Sequence, residues 1–185
     1  MLKLGSIDPS WTLFLDRDGV INRDKDQSYV FNWEEFKFYP GVLDSMELFN
    51  KTFNHILVVT NQRGVGRGMM SEADLLEIHQ QMVEAIQDAK GRIDKIYYCI
   101  SNNNDDPNRK PNPGMALQAR KDFPDIDWLK SIIVGNSLSD MEFGRNAGMH
   151  TVFLKTTNPD IQLPHPDIDL AFNTLPDFAK ALQIP

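Results

Sequence analysis

Two carboxylates one residue apart, Asp16 and Asp18, follow directly on the apolar run of residues 11–15, and Gly19 comes straight after them. A run of that length closed by a turn signal reads as a buried central strand. In an ideal strand a spacing of two puts both side chains on one side. Like charges that close are mutually costly, so positive charge belongs between them, and a divalent cation bound by oxygen is the usual answer. Taken alone, the pair reads first as two solvated turn aspartates. The rest of the chain changes that reading.

Three further apolar runs end in chemistry of their own. Residues 56–59 lead into Thr60 and Asn61 and then a glycine-rich turn at 64–68 that contains Arg67. The third region passes through a loop of turn formers, 101–108, to Arg109 and Lys110. Residues 132–135 lead into Asn136 and Asp140. Together these supply a carboxylate nucleophile, a second carboxylate, hydroxyl and amide donors, a lysine and metal ligands. Phosphoryl transfer through an aspartyl-phosphate needs that set. The spread negative charge of the phosphoryl group calls for cations and donors around it, and the leaving oxygen calls for a second carboxylate. The glycine-rich turn lacks the G-x-x-x-x-G-K-[ST] pattern, so it is no nucleotide-binding P-loop.

The elements that must position these groups alternate between strand and helix. Strands are expected at 11–15, 56–59, 96–99, 132–135, 151–154 and, as an edge, 170–172. Helices are expected from Val42 to Phe49, from a Ser71–Asp74 capping box to an end at Gly91, from an Asn112 cap with Pro113 first to near Phe123, from Met141 to a stop at Gly148, and from Leu175 to Leu182. This is the grammar of an α/β, Rossmann-like three-layer fold, a parallel sheet with helices on both faces. In such sheets ligands bind just past the carboxyl ends of the strands, so the four charged ends converge on one crevice. Residues 20–39, polar with interspersed aromatics, read as a long, partly packed loop. No repeat, linker or second domain is visible, so residues 1–185 are expected to form one domain.

Composition narrows the partners. A hydrophobic content of 41% and a charged content of 24% are those of an ordinary soluble protein. A net charge of −7 argues against nucleic-acid or anionic-membrane surfaces, which want a basic face. Cys99 is the one cysteine, which excludes an internal disulfide and suits a reducing compartment. No signal peptide or membrane-length apolar stretch is evident. The expectation is a cytoplasmic monomer acting on a small-molecule phosphate ester, with no nucleic acid and no membrane as partners.

The residues DRDGVIN (16–22), TNQRGVGRG (60–68), RKPNPGM (109–115) and GNSLSD (135–140) resemble, in order and spacing, the four motifs of the haloacid dehalogenase-like phosphatases. Within that superfamily they look most like the D,D-heptose 1,7-bisphosphate 7-phosphatases, with the histidinol-phosphatases close by. The resemblance runs from about residue 13 to 154. It implies Asp16 as nucleophile, Asp18 as general acid/base, Thr60 and Asn61 as phosphate holders, Lys110 as counter-charge and Arg109 as a substrate arginine; from the glycine-rich turn itself, Arg67 is expected to face substrate. It implies Mg²⁺ held by Asp16, Asp18 and the fourth motif, here Asn136 and Asp140. Two departures stand out. The fourth motif usually reads Gly-Asp and here reads Gly135-Asn136, which removes one charge from the metal site and predicts weaker Mg²⁺ binding. The zinc loop of the heptose enzymes is also missing, since residues 101–108 contain neither Cys nor His, so no zinc is expected. Only about twenty residues separate the first strand from the next helix, too few for a large cap domain. The expected activity is a Mg²⁺-dependent phosphomonoesterase acting on a small sugar phosphate. A histidinol-phosphatase and a catalytically attenuated phosphate-binding protein are the rivals.

Overall fold

The computed structural model describes residues 2–25 and 28–184, so positions 26 and 27 of the expected 20–39 loop lie outside the described residues. Six strands form one sheet: β1 (Thr12–Leu15), β2 (His55–Asn61), β3 (Lys95–Cys99), β4 (Ser131–Gly135), β5 (His150–Leu154) and β6 (Leu170–Phe172). Their order is β3-β2-β1-β4-β5-β6 and every pairing is parallel. The register places Leu15 beside Val58 on one flank and Val134 on the other, so β1 and β4 end within one residue of each other while β2 runs on to Asn61.

Side chains alternate between two cores, as the pleat requires. Leu13, Leu15, Ile56, Val58, Ile132 and Val134 point into a core shared with α1 (Val42–Thr52), α3 (Glu72–Asp88) and α6 (Leu175–Ala181). Phe14, Leu57, Val59 and Ile133 point into a second core with α4 (Gly114–Asp122) and α5 (Leu138–Ala147). The central strands are covered on both faces, and that is why they read as unbroken apolar runs. The three-layer parallel α/β fold is the one expected, and no large cap is inserted. No helix among the described residues is long and apolar enough to cross a membrane.

Several boundaries differ from the sequence reading, each for a local reason. Residues 63–66 wind into a short helix, α2, inside the expected glycine turn. Helix α3 opens with the expected Ser71–Asp74 capping box but stops before Gly91. Lys90 takes the left-handed conformation at φ 64°, and Gly91 serves close packing, since a Cβ there would lie 2.8 Å from Met46 Cβ. The cap expected at Asn112 moves to Pro113, because the Asn112 amide instead donates to Asn104 O and Asp106 O, at 3.1 and 2.8 Å. Helix α5 begins three residues early, at Leu138, because Ser137 caps it: its main-chain N–H and its hydroxyl both donate to Asp140 Oδ2, at 3.0 and 2.7 Å.

Of the partly packed loop expected at 20–39, residues 30–38 carry side chains that pack against the first core. Asn32 caps a 3-10 turn at Trp33–Glu35, Trp33 stacks on Phe36 with ring centroids 5.0 Å apart, and Phe36 is buried.

The turn from β4 into α5 leaves no room for a side chain at Gly135, where a Cβ would lie 2.2 Å from Asp140 Cβ. Gly135→Ala must therefore push the first turn of α5 away from the sheet. Overpacking of this kind costs about 1–3 kcal/mol. Urea denaturation should show that loss, and an unchanged midpoint would contradict the packing described.

Candidate active site

The ends of β1, β2 and β4 meet around one ammonium group. Lys110 Nζ lies 2.8 Å from Asp16 Oδ1 and 2.6 Å from Asp140 Oδ1, and it donates to Val59 O at 2.7 Å. Asp16 sits one residue beyond β1, and its N–H donates to Val134 O at 3.0 Å, extending the ladder. The lysine reaches this point because Asn61, at the end of β2, grips its backbone. The Asn61 amide donates to Lys110 O and accepts from Lys110 N–H, both at 3.1 Å. The Asn61 side chain is thus a brace for Lys110.

The electrostatics follow from one cation serving two anions. Burial works against the Lys110 charge, but Asp140 and Asp16 outweigh it and hold its pKa above the ordinary lysine value. Asp16 is left short of compensation. Burial, opposed by Lys110 and reinforced by Asp140, pushes its carboxyl up to about 7. Both Asp140 oxygens are engaged, Oδ1 by Lys110 and Oδ2 by Ser137, and the side chain is only 1% exposed. Asp16 is the more open of the two, 13% exposed, and turns toward the crevice.

Asp18 is held quite differently. Past Leu15 the chain leaves the strand and tightens into a loop in which Ile21 N–H and Asn22 N–H return to Arg17 O, at 2.8 and 3.2 Å. Gly19 makes the loop possible with φ +83°, and a Cβ there would strike the Asn136 amide at 2.1 Å. The Asp18 carboxylate accepts from Arg17 NH2 at both oxygens (3.0 and 2.9 Å), from Asn22 Nδ2 (2.8 Å) and from Gln62 Nε2 (2.8 Å). Burial would raise its pKa, yet Arg17, Asn22 and Gln62 together keep it below the usual carboxylate range. Arg17 is itself 1% exposed. Its NH2 also donates to Gln62 Oε1 at 3.2 Å, and its NH1 lies 3.2 Å from His79 Nε2 on α3. A guanidinium can only donate, so His79 must accept and stay neutral. Burial, then Arg17, drives the His79 pKa down to about 3.

Motif reasoning does not single out Arg17, Asn22, Gln62 or His79. Asn22 and Gln62 sit inside the motif segments and are available at spacings of four from Asp18 and two from Thr60. His79 carries no local signal at all. Arg63 is a fifth such residue. With Arg67 and Arg109 it forms a group of cations whose mutual repulsion, after burial, lowers the Arg109 pKa. Arg63 donates to Asn104 Oδ1 and its buried Nε has no partner. Arg67 donates to Tyr29 of the 20–39 loop at 2.9 Å, and Arg109 to Ser101 O at 3.3 Å. Arg63 and Arg67 therefore lie close enough to Arg109 for their charges to act on it, next to the lysine that neighbours Arg109.

Asn136, just past β4, donates through Nδ2 to Thr157 Oγ1 at 2.7 Å, and its carbonyl accepts from Asn158 at 2.8 Å. Thr156 Oγ1 donates to Gly19 O at 2.5 Å, so residues 156–158 clamp the fourth motif against the first. Among the described residues no three His, Cys, Asp or Glu side chains gather to hold a metal. The donors at this end of the sheet are hard oxygens, the Asp16 carboxylate and the amide oxygen of Asn136, which packs against Gly19. That set suits Mg²⁺, which keeps several waters and needs only one or two carboxylates besides substrate phosphate.

The sequence matches the family described as polynucleotide kinase 3 phosphatase over residues 12–174. It is 41% identical over 137 residues to a D-glycero-alpha-D-manno-heptose-1,7-bisphosphate 7-phosphatase of Mycobacterium bovis, covering 74% of this chain and 72% of that protein. It is 35% identical over 180 residues to the D-glycero-beta-D-manno-heptose-1,7-bisphosphate 7-phosphatase of Salmonella typhi, covering 92% of this chain and 94% of that protein. The fold superimposes with a TM-score of 0.85 on a D,D-heptose 1,7-bisphosphate phosphatase of B. bronchiseptica crystallised with magnesium and phosphate; the two are 30% identical, and the match covers 94% of this chain and 98% of the other.

The raised Asp16 pKa bears on stability. Between the unfolded value of 3.8 and the folded value of about 7, the folded protein holds a proton that the unfolded chain releases, so stability falls as pH rises through that window. Asp16→Asn removes the loss. In metal-free buffer its melting temperature should exceed that of the wild type at pH 8, with the gain shrinking steadily towards pH 4. A variant less stable at pH 8 than the wild type would contradict this charge balance.

Proposed function

This chain belongs to the haloacid dehalogenase-like phosphatases, the superfamily of the heptose bisphosphate phosphatases, and we propose that it removes the 7-phosphate from D-glycero-D-manno-heptose 1,7-bisphosphate. The observation that carries the reading is the pairing of a lysine-flanked carboxylate, Asp16, with a separately anchored one, Asp18, beside three arginines able to take a second phosphate.

In this reading the arginines hold the phosphate that does not react. They bring the other against Asp16 Oδ and the Thr60 hydroxyl. Asp16 attacks phosphorus in line, the P–O bond to the sugar breaks, and Asp18 gives its proton to the departing alkoxide. The phosphoryl dianion beside Asp18 supplies the like charge that draws a proton onto a carboxyl otherwise kept ionised. Once the sugar has left, Asp18 takes a proton from water as that water attacks the aspartyl-phosphate. Lys110 balances the charge on Asp16 and on the transferring group throughout. Mg²⁺, held by Asp16, the Asp18 carbonyl and Asn136, would act as a Lewis acid toward the phosphoryl oxygens. Asp140 supports it indirectly, by holding Lys110 in place. The chain acts as one domain, as a monomer in the cytoplasm.

Phosphate release from the heptose bisphosphate, sugar monophosphates and histidinol phosphate, with and without Mg²⁺, tests the reading. Release should require Mg²⁺ and favour the bisphosphate. Arg109→Ala should raise KM for the bisphosphate about tenfold or more, the worth of a charged phosphate contact, and leave monophosphate turnover nearly unchanged. Preference for histidinol phosphate, or equal poor turnover of all esters, would overturn the substrate assignment.

A further inference from the structure

The structure assigns Gln62 a positioning role in the reaction: through one amide it aligns the Asp18 carboxylate and turns the Thr60 hydroxyl toward the phosphoryl group. The inference rests on the phosphatase reading above and adds a residue to it. Gln62 lies just past β2, is buried, and makes three contacts with its side-chain amide. Oε1 accepts from Arg17 NH2 at 3.2 Å, and Nε2 donates to Asp18 Oδ2 at 2.8 Å and to Thr60 Oγ1 at 2.9 Å.

The orientation of that amide is determined by its neighbours. The Arg17 guanidinium carries no acceptor, so the atom facing it must be oxygen. The NH2 group therefore faces Asp18 and Thr60, and its two hydrogens go one to each. Arg17 is in turn held by His79 from α3, so the amide rests on a buried scaffold.

Two consequences follow for chemistry. Asp18 loses its freedom to rotate, because Gln62 holds Oδ2 while Asn22 holds Oδ1 and Arg17 spans both. A proton donor kept at a fixed angle to the leaving oxygen is what general acid catalysis requires. In addition, Thr60 Oγ1 already accepts a hydrogen bond from Gln62, so its own proton is directed elsewhere and is available to a phosphoryl oxygen. A glutamate at this position would reverse both effects. It would repel Asp18 and accept the Thr60 proton.

The test compares wild type with Gln62→Met, which keeps the size and loses the hydrogen bonds, and with Gln62→Glu. Melting curves establish that each variant is folded. The quantity measured is kcat/KM for a sugar phosphate, whose alkoxide needs a proton to leave, and for p-nitrophenyl phosphate, whose leaving group does not. The ratio of the two should move by about tenfold or more against the sugar phosphate in both variants, the low end of a general-acid contribution. An equal fractional loss on both esters, or no loss, would overturn the proposal. If wild type releases phosphate from neither ester, the phosphatase reading falls and the affinity for inorganic phosphate decides the role of Gln62. Binding at least about tenfold weaker in Gln62→Glu than in wild type would sustain the Thr60 alignment, and equal affinity would refute it.

Discussion

Everything at the crevice depends on the ammonium of Lys110 lying between Asp16 and Asp140. Removing water from three ions costs several kcal/mol for each. The contacts of 2.8 and 2.6 Å offset that cost for Lys110 and Asp140, and only in part for Asp16. One positive and two negative charges leave a residual negative charge. Asp140 is sealed in by Ser137 and the start of α5, so the imbalance falls on the more open Asp16, whose carboxyl rises to about 7. An under-compensated, partly open carboxylate is what a nucleophile and a ligand for a hard cation both require. The same lysine contacts the ends of β1 and β2 and the start of α5, so the charge balance is also a mechanical tie across the sheet.

Asp18 shows the opposite design two residues away. It is surrounded by donors from its own loop and from Gln62, and its carboxyl is held low. Two carboxylates in one motif with pKa values displaced in opposite directions suit the two tasks that the proposed reaction gives them, attack and proton transfer. The fold achieves the split by directing Lys110 to one and Arg17 to the other. Parallel strands, β1 between β2 and β4, bring those cations within reach at one end of the sheet.

Much of this is legible in the sequence because its signals are local. Buried parallel strands leave apolar runs such as 56–59, and polar residues directly after them are conspicuous. Asp16, Asp18, Thr60 and Asn136 sit in such places, and Lys110 lies past the loop that follows the third run. What is not legible depends on contacts between distant segments. Nothing near Lys110 reveals that its charge meets Asp16, 94 residues away. Nothing in the sequence marks out Arg63, because the α2 turn that brings it near Arg67 and Arg109 is a tertiary outcome. His79 reads as one more helix residue, and only the fold sets it against Arg17. The helix ends differ for a related reason. Asn112 is a good cap by type, but the loop at 104–106 competes for its amide.

The most direct measurement is acid-quench trapping during turnover of the bisphosphate, followed by digestion and mass spectrometry. The account predicts a phosphoryl group on the peptide that carries Asp16, absent from Asp16→Asn and accumulating when Asp18→Asn slows its hydrolysis. Phosphate release with no adduct on any carboxylate under those conditions, or an adduct on another residue, would contradict it.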